Sequence, residues 1–147
     1  MLLAAVSWAP AFADAPSGEK AARQAVLDFI GFYRKCDLDG AMRASSVPWL
    51  YDFTVTYKTE AELKDQLRLC LRPFRNTELF TDKITAVHTY LEFREKIRKY
   101  HASWLDDVLT KDDFVVAVQK RNEPKFNIFI FVRMKDGKAT VAGYAGG

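Results

Sequence analysis

The sequence predicts an α+β domain, a bent antiparallel sheet of about five strands with three to four helices packed on it. Three observations carry this. From Phe114 onward the chain reads as three strands in succession, over residues 114–121, 126–135 and 138–145. Before Phe114 it is mostly helical, with clear apolar periodicity over 17–35, 59–72 and 89–109. The last two strands are joined by Asp136-Gly137, a strong two-residue hairpin signal. A helical front half closed by an antiparallel meander is the pattern of helices lining one sheet.

The chain has 147 residues, the size of one domain able to bury roughly two-thirds of its unfolded surface. Its composition, 49% apolar and 28% charged, is that of a soluble globular protein. The net charge of +3 is spread along the chain, which argues against nucleic acid as a partner, because such binding needs a concentrated basic face. Residues 2–6 are an apolar run, followed by Ala11-Phe12-Ala13 before the first charge at Asp14. This is the pattern of a signal peptide over residues 1–13, with the mature domain spanning 14–147 in the periplasm or outside the cell. The alternative is an apolar N-terminus that packs on the domain. The run is too short to span a bilayer, so stable membrane insertion is not expected.

The first helix is expected to start at Ser17 after Pro16, with Ala22, Val26, Phe29, Ile30 and Tyr33 as its buried stripe. A short helix over 38–44 follows and ends before Pro48. Over 49–57 the residues alternate, with Trp49, Tyr51, Phe53, Val55 and Tyr57 on one face, as in a half-buried strand. Thr59 and Glu62 form a capping box ahead of a helix that buries Leu63, Leu67, Cys70 and Leu71 and stops at Pro73. Residues 84–88 read as a short strand. Thr89 and Glu92 form a second capping box and open a long helix with Phe93, Ile97, Tyr100, Trp104, Leu105 and Val108 at helical spacing. Cys36 and Cys70 allow a single disulfide or two free thiols.

The order of these elements resembles the nuclear-transport-factor-two-like superfamily, which includes SnoaL-like cyclases and ketosteroid isomerase. The resemblance rests on a long helix followed by a short one over 21–44, the entry Pro48-Trp49-Leu50-Tyr51 into a strand, the capped helix over 59–72 and the closing strands. It implies a cone-shaped roll with a largely apolar cavity, in a superfamily that contains enzymes, ligand binders and modules that dimerise through the sheet face. The long helix over 89–109 departs from the usual connection, and is placed to cap the cone or to fill it.

Catalytic signatures are absent: no Gly-rich phosphate loop, no G-x-S-x-G and no H-E-x-x-H. With only two histidines, His88 and His101, a multi-histidine metal site is excluded, and nothing in the sequence calls for a cofactor. The weak catalytic candidates are His88, as a base at a strand end, and Asp52, as a base or a group that orients a histidine. Their structural alternatives are a packed histidine, and a solvated residue or the turn of a tight hairpin. His101 reads as a boundary residue with a hydrogen-bond partner.

Candidate ligand-binding residues are Trp49, Tyr51, Tyr90, Trp104, Asn127, Phe129 and Arg133. Aromatic walls with a few polar anchors such as Asn127 and Arg133 suit a small ligand of apolar or mixed polarity. Asn127, Phe129, Phe131 and Arg133 must share one strand face. If that face looks inward it lines a pocket; if it looks outward, its rings suit a homodimer interface. The charge run from Glu92 to Lys99 contains i,i+4 pairs and reads as a solvated helix face, and Arg68, Arg72 and Arg75 form a second weak basic cluster near a helix end. The functional expectation is an exported small-ligand-binding or interaction domain. The alternatives are an isomerase- or cyclase-type enzyme using His88 or Asp52, and a dimerising structural module.

Overall fold

The computed structural model describes residues 15–71 and 79–146. The expected leader over 1–13, Arg72, Pro73 and Arg75 lie outside the described residues. In chain order the elements are α1 (Ala15–Arg34), α2 (Leu38–Arg43), β1 (Ser45–Tyr51), β2 (Val55–Tyr57), α3 (Glu60–Cys70), β3 (Phe80–Thr89), α4 (Tyr90–Lys96), α5 (Lys99–Asp106), β4 (Phe114–Lys120), β5 (Asn127–Lys135) and β6 (Lys138–Gly146). The α+β class is as expected. Six strands rather than five form one open sheet in the order β2-β1-β6-β5-β4-β3. It is mixed rather than antiparallel, because β1 runs parallel to β6. No helix among the described residues is long and apolar enough to cross a membrane.

Local chemistry explains much of the framework. Thr59 Oγ1 accepts the Glu62 N–H at 3.2 Å and the Glu62 carboxylate accepts the Thr59 N–H at 3.3 Å. The Thr89 and Glu92 pair is built the same way and opens α4. Each box satisfies two backbone donors that a helix start leaves unpaired. Asp136 and Gly137 both take positive φ, +52° and +73°, and pair Lys135 with Lys138 across a two-residue hairpin. That turn twists with the strands, so the register over Asn127–Lys135 is held as the alternation requires.

Four expected elements differ; the short strand expected over 84–88 is a ten-residue strand, Phe80–Thr89. The first helix starts at Ala15 rather than at Ser17, with Pro16 in its first turn, where a missing N–H costs nothing. The expected strand over 49–57 is a hairpin instead: Asp52 and Phe53 both have positive φ, and the Thr54 N–H closes the turn on Tyr51 O at 3.0 Å. The strand also starts earlier, at Ser45, and takes in Pro48 where the β1–β6 ladder is irregular. The expected long helix over 89–109 is broken at Ile97 and Arg98, both extended, into α4 and α5.

The reason for that break is tertiary. In a straight helix Arg94 and Asp106 would sit about 18 Å apart along the axis. Here the Arg94 guanidinium grips both Asp106 oxygens at 2.8 and 2.9 Å, and the Tyr90 hydroxyl donates to the same carboxylate. Neither proline nor glycine marks the bend, so periodicity alone reads through it.

The sheet is buried on both faces. On one, α1, α2 and α3 cover Trp49, Phe80, Val116, Val118, Ile128, Ile130, Val132 and Tyr144. Rings fill the middle of this layer: Tyr33 lies 5.0 Å from Phe80, and Tyr144 lies 5.3 Å from both Phe80 and Trp49. These edge-on contacts add to the apolar burial of each ring. On the other face, α4 and α5 cover Leu50, Val115, Phe131, Ala142 and Ala145 with Tyr90, Phe93 and Leu105. At the seam between β1 and β6 lies Gly143, with φ +136°, where an added Cβ would come within 2.0 Å of Leu50 O. The β5–β6 register slips there as well, a bulge that only glycine admits at this approach.

Candidate functional site

Two open grooves lie on either side of Pro48. One, of about 580 Å³, is walled by Ser46, Val47 and Pro48 of β1 and by Arg133, Lys135, Asp136, Lys138 and Thr140 of the β5–β6 hairpin. The other, of about 740 Å³, is walled by Pro48, Thr54, Val55, Thr56, Lys58, Trp104 and Asp107. Both volumes fall in the range of small-ligand sites. A third depression between α1 and β6, of about 200 Å³, is too small for most organic ligands.

Arg133 is the centre of the first groove. Its side chain leaves β5 on the α4–α5 side and is half-buried. Nη1 donates to Ser46 Oγ at 2.7 Å, and Nη2 donates to Pro48 O at 2.6 Å and Val108 O at 2.9 Å. These bonds tie β5 to β1 and to the chain just after α5. Burial disfavours the charge on Arg133 and lowers its pKa, an effect that the field of Asp113 partly offsets. Among the described residues no carboxylate lies within ion-pair distance of it. Asp113 itself is committed: it accepts the Met134 N–H at 2.8 Å and the Thr110 N–H at 2.7 Å. It is the buried charged residue of the described core, and it holds the start of β4 against β5.

Ser46 Oγ also lies 2.6 Å from Thr140 Oγ1. With Ser46 accepting from Arg133, its own proton can point to Thr140, which leaves the Thr140 proton for the groove. Lys135 and Lys138 flank the hairpin and are exposed, with Asp136 as the one acid among these walls. The chemistry on offer is two lysines and hydroxyl donors around a half-buried guanidinium. Among the described walls of this groove there is no activated nucleophile and no paired acid and base.

The candidates from sequence divide into groups. Arg133 and Trp104 come to grooves that share Pro48. Trp49 and Tyr51 lie on the opposite face, where Trp49 is fully buried and Tyr51 packs edge-on to Tyr144 at 5.6 Å. Trp49 Nε1 is the buried side-chain polar atom without a partner among the described residues. Tyr90 belongs to the Arg94–Asp106 clamp; burial and the Asp106 carboxylate push its phenol pKa up, and Arg94 partly offsets them. Asn127 accepts the Thr85 hydroxyl at 3.0 Å, tying the start of β5 towards β3. Phe129 is half-buried against Phe93 at 5.0 Å, and Phe131 is fully buried. The face shared by Asn127, Phe129, Phe131 and Arg133 thus looks neither into the aromatic layer nor out to solvent, but into α4 and α5.

Asp52 and His88 are not brought together. Asp52 sits in the β1–β2 turn, its carboxylate accepting the Gly146 N–H at 3.2 Å. His88 is in β3, at the far edge of the sheet, with its ring 6.0 Å from Phe93. Four strand spacings separate β1 from β3, about 19 Å. His101 stacks flat on Phe53 at 4.4 Å. Cys36 and Cys70 are both free thiols. No group of three or more metal-ligating side chains is present among the described residues.

Ser46, Pro48, Thr140, Lys135 and Lys138 were not legible as site residues. The signal for the two lysines was the Asp136-Gly137 turn between them, which fixes their pairing; the contribution of Ser46 and Pro48 depends on β1 lying beside β6, which no local pattern encodes. Compared with known proteins, the chain matches no family model, no curated protein and no solved structure.

Proposed function

We propose that this protein is an exported small-ligand-binding module, a variant of the nuclear-transport-factor-two-like roll whose site lies outside the layer between α1, α3 and the sheet. The observation that carries the reading is the pair of grooves sharing Pro48, one presenting Arg133 and the other Trp104. The interior that the superfamily resemblance would use is packed with Phe29, Tyr33, Trp49, Phe80 and Tyr144, all of them buried. The grooves combine apolar surface with a few convergent polar groups, the usual make-up of a ligand site. Export agrees with the leader pattern at residues 1–13 and places the mature N-terminus near Asp14, which mass spectrometry of the secreted chain checks directly.

Nitrogen–proton correlation spectra of the mature protein, titrated with a small-molecule fragment library, test the binding site. Shifts should cluster at the Trp104 indole N–H, the Thr54–Thr56 amides and the Arg133 Nε–H. Shifts confined to α1, α3 and the rings around Tyr144 would relocate the site to the interior and overturn this reading.

A further inference from the structure

We infer that the Arg133 groove receives the oxyanion head, carboxylate or phosphate, of an amphipathic small molecule whose apolar body runs past Pro48 towards Trp104. The inference rests on the ligand-binding reading above and adds the chemical class. Three observations carry the chemical class.

First, Arg133 holds a half-buried charge whose described partners are all neutral: one hydroxyl and two carbonyl oxygens. A guanidinium has five N–H donors. The three bonds leave two of them without an acceptor among the described residues. A desolvated cation without a counter-charge is an unfavourable arrangement that an arriving anion relieves. Asp113, the buried acid whose field reaches Arg133, has both oxygens occupied by backbone N–H groups and Thr110. It orients the strand and leaves the guanidinium's remaining donors to a ligand.

Second, the other walls also favour negative charge. Lys135 and Lys138 stand at the paired ends of the Asp136-Gly137 hairpin, and the Ser46–Thr140 hydroxyl pair offers a further donor. Asp136 is the opposing charge, exposed at the turn tip. Charge-assisted hydrogen bonds to carboxylate or phosphate are roughly twice as strong as neutral ones, and Arg suits planar two-point recognition.

Third, the head site opens beside an apolar surface. Pro48 is a wall of both grooves, and beyond it stand Val55 and Trp104. A simple inorganic ion would use only the first groove, whereas a ligand with an apolar body uses both.

The test titrates octyl phosphate, octanoate and neutral octanol into the mature protein, followed by calorimetry and by the Trp104 indole signal. Both anions should bind about tenfold or more tightly than octanol, with the advantage shrinking as salt rises. Because Arg133 also braces β1 and the chain just after α5, Arg133→Gln loosens that seam as well, so the discriminating variant is Lys135→Gln with Lys138→Gln. Both lysines are exposed, and their loss should weaken octyl phosphate several-fold while leaving octanol and the melting temperature unchanged. Equal affinity for octanol and octyl phosphate, unaffected by these substitutions, overturns the oxyanion inference and leaves the ligand-binding reading standing. Absence of binding by all three probes overturns both. Sedimentation with phosphatidylglycerol vesicles in the absence of octyl phosphate binding overturns the free-ligand proposal and assigns the head group to a membrane lipid.

Discussion

The two faces of the sheet are held by different physics. The α1–α3 face is a layer of interlocking rings in which Phe29, Tyr33, Trp49 and Phe80 are fully buried and Tyr144 nearly so. Its polar content is small: the Tyr33 and Tyr144 hydroxyls lie 3.4 Å apart, and burial pushes both phenols well above their usual range, so they stay neutral. The α4–α5 face covers fewer residues and relies on two short helices, a capping box and a clamp of Tyr90, Arg94 and Asp106. Short helices have little stability of their own and depend on what they pack against. The first face is therefore a finished core, and the second is a cover that also supplies Trp104 to one groove and, with Val108 O just after α5, an acceptor to Arg133. Where both demands meet, at Pro48 and Arg133, the molecule presents its candidate site.

The largest expected effect lies where the faces share one backbone. Gly143→Ala forces a Cβ onto Leu50 O and a side chain into a positive φ, so urea unfolding should show a loss above about 4 kcal/mol, or no folded protein at all. A mild loss would mean that β1 can move off β6 without harm to either cluster. Next, Phe29→Ala should cost about 3–5 kcal/mol, because the rings around it cannot collapse into the void. Phe93→Ala, on the covering face, should cost about 2 kcal/mol, with α4 shifting to fill the space. Equal losses at Phe29 and Phe93 would erase the contrast between core and cover.

Smaller changes sharpen the contrast. Thr89→Ala removes the cap of α4 and should cost about 1 kcal/mol, with Thr59→Ala as the matched control at α3. Acid should act on the cover first. The Arg94 hydrogen bonds hold the Asp106 carboxyl below its usual pKa. A depressed carboxylate pKa contributes stability above the unfolded value of about 4, and that contribution disappears as the pH falls through the folded value. Both side chains are partly solvent-exposed, so the effect is small. Fluorescence of the tryptophans across an acid titration should report loosening near Trp104 before global unfolding, and Asp106→Asn should remove that early step.

Local chemistry was legible in the sequence and long-range pairing was not. The capping boxes at Thr59 and Thr89 and the turn at Asp136-Gly137 each act within four residues, and all three stand where the sequence places them. The buried stripe of α1, from Ala22 to Tyr33, is as its periodicity predicts. The break at Ile97 and Arg98 escaped because its cause, the Arg94–Asp106 pair, spans twelve positions and is satisfied only after the helices fold back. The hairpin at Asp52-Phe53 was legible only as the alternative for Asp52, because Phe53 is a bulky residue at positive φ, held there by the His101 and Phe131 rings rather than by any intrinsic preference. The site divides in the same way. Arg133 and Trp104 stood out by residue type and strand or helix face, while Ser46, Pro48 and Thr140 became site residues only through the parallel pairing of β1 with β6.

Native-state hydrogen exchange, measured with and without octyl phosphate, is the most direct test of a finished core beneath a working cover. The amides of α4 and α5 should open at a clearly lower free energy than those of α1, β4 and β5, and the ligand should slow exchange in α5 and around Pro48 while leaving the α1–α3 layer unchanged. Exchange of α4 and α5 only through global unfolding, with no local response to the ligand, would contradict the account.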